Sequence, residues 1–206
     1  GKTTIITAIL RIFQQLKRRV LLAAPTGSAA KRMNEATGWE ATTIHRLLEY
    51  SPRKGGFKKD QDDPLEADVV IIDETSMVDN LLMYHLLKAI PSHAHLILVG
   101  DIDQLPSVGP GNVLKDIIRS GRFTVVRLTE IFRQAQESMI VVNAHKVNQG
   151  QFPVLKEIDK PEQTDFQFIQ EEDPEKILQN ILDLCSERIP RQLRFHPLRE
   201  IQVLTP

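Results

Sequence analysis

Short apolar runs that break off into polar clusters constrain this chain more than any other feature. Val20–Ala24, Val69–Ile72 and residues 96–99 are each apolar throughout and each stop abruptly, at Pro25-Thr26-Gly27, Asp73-Glu74 and Gly100-Asp101. Four or five apolar residues without polar alternation mark a strand buried on both faces, as in a parallel sheet. Between the runs the spacing turns helical. Ile5, Ile6, Ile9, Leu10, Phe13 and Leu16 lie on one face of a helix predicted over residues 3–17. Ser28 is the expected cap of a helix reaching about Ala36, and Thr43 of one ending at Leu48. Further helices are expected over 81–90 and 112–120, and a further strand over 123–128. Strand–helix alternation of this kind predicts an α/β fold, a parallel sheet flanked by helices and wound right-handedly.

After Gly150 the character changes. Residues 151–175 are acidic and loop-rich, with a candidate strand at 166–169, an amphipathic helix over 175–188 and a last strand at 201–204. Residues 50–64, rich in Pro, Gly, Lys and Asp, read as an exposed loop. With 206 residues the chain is long enough for one α/β domain and an appendage. Its longest apolar run is five residues, so no segment suits a bilayer. No secretory signal pattern stands at the start, and a cytoplasmic location is expected. The single cysteine, Cys185, excludes an internal disulfide and reads as a small core residue. Aromatics at 5% weigh against a base-stacking platform.

The net charge of −1 conceals segregation: residues 1–34 hold seven Lys/Arg and no acid, and residues 60–79 hold eight acids and no Lys or Arg. A basic first third suits phosphate, whether of a nucleotide or of a strand. Gly1-Lys2-Thr3-Thr4 leads directly into the first helix and matches the second half of a phosphate-binding loop. There a lysine reaches the β/γ-phosphates, a hydroxyl ligates Mg²⁺, and backbone N–H groups meet the anion. Asp73-Glu74 at a strand end suits metal coordination by the first carboxylate and polarisation of water by the second. Gln104 lies beyond another strand end and could orient water or meet a γ-phosphate, while Asp101 could cap its own loop. Arg133 could neutralise charge in phosphoryl transfer. Ligands collect beyond the carboxyl ends of strands in such sheets, so these elements can converge.

GKTT, APTGSAAKRM, TIHRLL, VVIIDETSMVD, GDIDQLPSVGPG and LTEIFRQ stand in the order and spacing of superfamily 1 DNA helicases. Together they resemble the RecD-like branch, the alpha chain of exodeoxyribonuclease V and its stand-alone relatives. GDIDQLPSVGPG is the most specific string. The resemblance is dense over residues 1 to about 150 and resumes at Val203-Leu204-Thr205-Pro206, which is similar to the strand opening the second motor domain.

The resemblance implies a RecA-like phosphate-loop NTPase domain over 1–150, then over 151–206 a connecting segment and the start of a second motor domain. It implies that Gly1, Lys2, Thr3, Thr4, Gln104 and Arg133 meet ATP and that Thr3 and Asp73 hold Mg²⁺. Lys2, Glu74, Gln104 and Arg133 would be catalytic, with Glu74 as the general base. Pro25, Thr26, Gly27, Thr43 and His45 resemble the strand-contacting motifs, and helix N-termini with small residues and hydroxyls suit phosphates read without sequence. A helix cap for Thr43 and a core contact for His45 are the structural alternatives. The implied activity is ATP hydrolysis coupled to 5′→3′ movement on single-stranded DNA in repair and recombination, with room for nuclease or other repair subunits and none for a membrane. The first half of the phosphate loop and the second domain's motifs are not in the sequence, so activity is expected only of a longer chain. A regulatory or nucleic-acid-binding module without catalysis, and a phosphate-loop ATPase acting on another polymer, are the competing readings.

Overall fold

The computed structural model describes residues 2–53, 55–128, 138–155 and 165–205. Gly1, Lys54 and Arg133 fall outside them. The chain divides into two compact units, Gly1–Thr129 and Glu130–Pro206.

The first unit is built on four parallel strands, β1 Val20–Ala24, β2 Ala41–Thr43, β5 Val69–Ile72 and β6 His95–Leu98, in the spatial order β2-β1-β5-β6. Val20 faces Val69 across the β1–β5 ladder, and Ile72 faces Leu98 across β5–β6. All four β5 residues are fully buried, which is why that run shows no polar alternation. Successive side chains leave a strand on opposite faces. Val69 and Ile71 therefore pack with Ile6, Leu10, Leu22 and Met33, the helical members coming from α1 (Lys2–Gln15) and α2 (Gly27–Thr37). Val70 and Ile72 pack with Ile44, Leu48, Leu82 and Leu86 from α3 (Ile44–Leu47), its exit, and α4 (Asn80–Ala89). Helix α5 (Val113–Arg119) adds Val113 to that second layer. Helices on both faces of a parallel sheet are the expected α/β architecture.

Several local expectations change. Helix α2 is capped by Thr26, whose hydroxyl accepts the Ala29 N–H at 3.2 Å, and Ser28 lies inside the helix. Thr26 wins because it has the extended backbone a cap needs. Residues 50–64 are not wholly loop: β3 Tyr50–Ser51 and β4 Gly56–Phe57 form a short antiparallel pair. The strand expected over 123–128 is not formed; Phe123, Val126 and Leu128 are exposed and join no ladder. Residues 166–169 and 201–204 form no strand either. β-branched and aromatic composition supplies propensity, but a strand needs a partner edge, and propensity does not provide one.

The second unit contains α6 (Met139–Asn148) and α7 (Pro174–Asp183). The chain continues through a π-helical turn, Leu184–Arg188, into α8 (Ile189–Leu193). The helix expected over 175–188 is thus formed, with its last turn, which carries half-buried Cys185, wound as a π-helix. Buried Asn143 holds this unit's Val154 in both directions, donating to its carbonyl and accepting its N–H. Among the described residues no helix is long and apolar enough to cross a membrane.

Candidate functional site

Four predicted residues come together at the carboxyl ends of the central strands. Helix α1 begins at Lys2, and β5 ends one residue before Asp73. Lys2 and Thr3 from α1, Ala29, Arg32 and Met33 from α2, and Asp73 and Glu74 line one cleft of about 120 Å³. Lys2 Nζ stands 3.5 Å from Glu74 Oε2, and Arg32 Nη2 stands 3.7 Å from Glu74 Oε1. Each carboxylate oxygen thus has its own cation. Neither Lys2 Nζ nor Glu74 Oε2, both buried atoms, has a hydrogen-bond partner. A buried charge in a loose ion pair retains capacity for a closer partner, and phosphate oxygens would suit Lys2.

The turn after β5 creates this arrangement. Glu74 has φ +51°, in the left-handed region that a non-glycine residue seldom adopts. Its own N–H donates to Asp73 Oδ1 at 2.8 Å, and the Thr75 hydroxyl donates to the Ile72 carbonyl. Strained backbone held by surrounding bonds is common where a side chain must be aimed. Burial pushes the Asp73 carboxyl above its ordinary pKa; the Glu74 N–H, Lys2 and Arg32 pull the other way without overcoming it. A desolvated carboxylate gains most from a cation at close range.

Among the described residues no three His, Cys, Asp or Glu side chains form a metal cage. Asp73 and the exposed Thr3 both line the cleft and offer oxygen donors, the kind of ligand a hard cation such as Mg²⁺ takes beside waters and phosphate oxygens.

Gln104 is not among the cleft-lining residues; its side chain is exposed and its N–H donates to the Asp101 carbonyl at 3.4 Å. Asp101 caps its own loop, accepting the Asp103 N–H at 3.0 Å. Beyond Gln104 the loop is clasped to α4. The Asn80 N–H donates to the Pro110 carbonyl, and the Ser107 hydroxyl bonds the Gly109 and Gly111 carbonyls. A Cβ on Gly109 would sit 2.0 Å from Asp79 Oδ2, and one on Gly111, at φ +101°, 2.2 Å from Asn80 Oδ1. The glycines of the SVGPG string are thus required by close approach to the start of α4. On the β6 side, a Cβ on Gly100 would meet Leu114 and the Thr75 and Ser76 N–H groups.

Thr4 is not among the cleft-lining residues and lines an open groove with Thr7, Arg11 and Gln15. Pro25, Thr26 and Gly27 form the turn between β1 and α2, and a Cβ on Gly27 would meet nothing within 4 Å. The Thr43 hydroxyl caps α3 by accepting the Arg46 N–H. His45 is exposed and packs its ring 5.6 Å from Tyr50 and 5.5 Å from Phe57. Phe57 in turn packs 4.7 Å from His85. These rings are gathered on one face, which composition did not reveal. Gly1 and Arg133 lie outside the described residues. Sequence reasoning gave Arg32 no role; its signal was the i, i+3, i+4 spacing of Ala29, Arg32 and Met33, which puts all three on one side of α2.

Residues 1–110 match the AAA domain family. The ATP-dependent RecD2 DNA helicase of Deinococcus radiodurans is 40% identical over 153 residues, 74% of this chain and 21% of that protein. The RecBCD enzyme subunit RecD of Mycobacterium tuberculosis is 32% identical over 229 aligned positions, 99% of this chain and 38% of the relative. In backbone comparison, a chain from a structure of DNA unwinding at forked dsDNA by two coordinating Pif1 helicases aligns with a TM-score of 0.47 and 20% identity, over 73% of this chain and 42% of that one. The chain spans well under half the length of these curated relatives.

Proposed function

This chain belongs to the AAA domain family and is RecD-like in sequence, and from that premise we propose that the protein carrying it is an ATP-dependent DNA helicase. The observation that carries the reading is the convergence of Lys2, Thr3, Asp73 and Glu74 on one cleft at the carboxyl ends of parallel strands.

In this reading Lys2 leaves Glu74 to hold the β/γ-phosphates at the start of α1. Thr3 and Asp73 would hold Mg²⁺, which when bound neutralises phosphate charge. Glu74 accepts a proton from water as the water oxygen bonds the γ-phosphorus. The bond from that phosphorus to the β–γ bridging oxygen breaks, and ADP carries the electron pair away. Gln104 reports the γ-phosphate to the loop clasped on α4, and Arg133 adds positive charge from beyond the described residues. Pro25-Thr26-Gly27 and Thr43-Ile44-His45 meet the strand through helix N-termini and hydroxyls.

The wider assignment rests on the same family reading. Residues 1–150 serve as the motor domain and 151–206 as a connector entering a second one. Movement runs 5′→3′ on single-stranded DNA in cytoplasmic repair or recombination, and nuclease subunits are candidate partners. The test is ATP hydrolysis by the intact protein with and without single-stranded DNA. Turnover that rises with DNA supports the proposal; turnover indifferent to DNA and dependent on another polymer refutes it.

A further inference from the structure

We propose that Arg32 is a positioning residue for Glu74, holding one carboxylate oxygen so that the other faces the attacking water. The inference rests on the reading of Glu74 as general base. Glu74 has two cationic neighbours, and they occupy different oxygens: Lys2 at Oε2 and Arg32 at Oε1. Lys2 has a competing destination. Lys2 opens α1, where phosphate binds, and its ammonium is in a loose pair that phosphate oxygens would replace. Arg32 comes from the second turn of α2, on the face whose Ala29 and Met33 are buried. When nucleotide draws Lys2 away, Oε2 is released while Oε1 keeps Arg32 as its neighbouring cation, 3.7 Å away.

The Arg32 guanidinium is largely exposed and its pair with Oε1 is a charge contact rather than a hydrogen bond, so it biases, without locking, the carboxylate's last torsion, which is otherwise broad. Positioning of this kind is what a general base needs, because the proton must be within hydrogen-bond reach in the transition state. The Glu74 backbone already sits in a left-handed conformation that aims the side chain into the cleft. Arg32 completes the aim from a different element. That element begins at the Pro25-Thr26-Gly27 turn, so a strand docked there would also bear on the helix that holds the base.

The test compares wild type, Arg32→Ala, Arg32→Lys, Glu74→Gln and the double variant Arg32→Ala/Glu74→Gln in the intact protein. Readouts are steady-state ATP hydrolysis with single-stranded DNA, fluorescent ADP binding and oligonucleotide binding. Arg32→Ala should lower kcat about tenfold with KM for ATP, ADP affinity and DNA affinity unchanged, because only orientation of the base is lost. Arg32→Lys should recover most of the rate, and adding Arg32→Ala to Glu74→Gln should cost nothing further. Unchanged kcat in Arg32→Ala overturns the proposal. So does a parallel loss of ATP affinity, which would make Arg32 a phosphate contact, or of DNA affinity, which would make it a strand contact. If Glu74→Gln itself hydrolyses ATP normally, the base assignment fails first, and with it the proposal.

Discussion

Replacing Gly109 by alanine isolates one contact on which the geometry of the Gln104 loop depends. The added methyl would lie 2.0 Å from Asp79 Oδ2 and 2.8 Å from its Cγ, well inside contact distance. Gly109 has no left-handed backbone requirement, so the cost is purely steric. Two relaxations are open. Asp79 can swing away, and its Oδ1 then loses the 2.8 Å bond from the Leu82 N–H that caps α4. Losing a cap costs about 0.5–2 kcal/mol. Alternatively the loop lifts and the Asn80 N–H loses the Pro110 carbonyl, at about 0.5–1.5 kcal/mol. Either route predicts a loss of about 0.5–2 kcal/mol, or roughly 1–8 °C in Tm for a chain of this size. Urea unfolding read by the fluorescence of Trp39, the single tryptophan, reports on the first unit directly because Trp39 packs against its core. The decisive control is the Asp79→Ala background, where the obstructing carboxylate is gone. There Gly109→Ala should cost almost nothing. An equal penalty in both backgrounds, or no penalty in either, would refute the clasp.

Two further substitutions probe the site. Asp73→Asn should raise Tm at neutral pH, since it removes a charge that burial disfavours while an amide oxygen can keep the Glu74 N–H. The sign comes from the raised pKa: folded protein holds this proton more tightly than unfolded. Wild type therefore regains stability as pH falls through the folded pKa, and the two proteins should converge in acid. The same variant should lose metal-dependent hydrolysis, and calorimetry across pH beside an ATPase assay checks both halves. Thr26→Ala should destabilise α2 by about 1 kcal/mol through loss of the cap. It should also weaken oligonucleotide binding several-fold in an anisotropy titration if the turn meets the strand.

The central strands were legible because their burial on both faces leaves uninterrupted apolar runs, and β1 and β5 fall where Val20–Ala24 and Val69–Ile72 do. Strand β2 was not, since Ala41-Thr42-Thr43 at a sheet edge is neither long nor apolar. The β3–β4 pair was hidden by its Gly- and Lys-rich surroundings. Residues 123–128, 166–169 and 201–204 show the opposite error, with strand-like composition but no edge to join. At the site, the motif residues at strand ends could be read from spacing, and the cleft brings Lys2, Thr3, Asp73 and Glu74 together. Arg32 could not be read that way, because its importance comes from a partner 42 positions later in the chain that only the fold brings near. The SVGPG glycines were legible as a family string, but the reason for them, close approach to Asp79 and Asn80, needed the structure.

If this cleft hydrolyses ATP with Glu74 as the base, the most direct measurement is made on Glu74→Gln. Glutamine keeps the side chain's shape but cannot accept the proton. In the intact protein the variant should bind ATP with wild-type affinity while hydrolysis stimulated by single-stranded DNA falls by at least about 100-fold. Retained hydrolysis alongside retained binding would contradict the assignment.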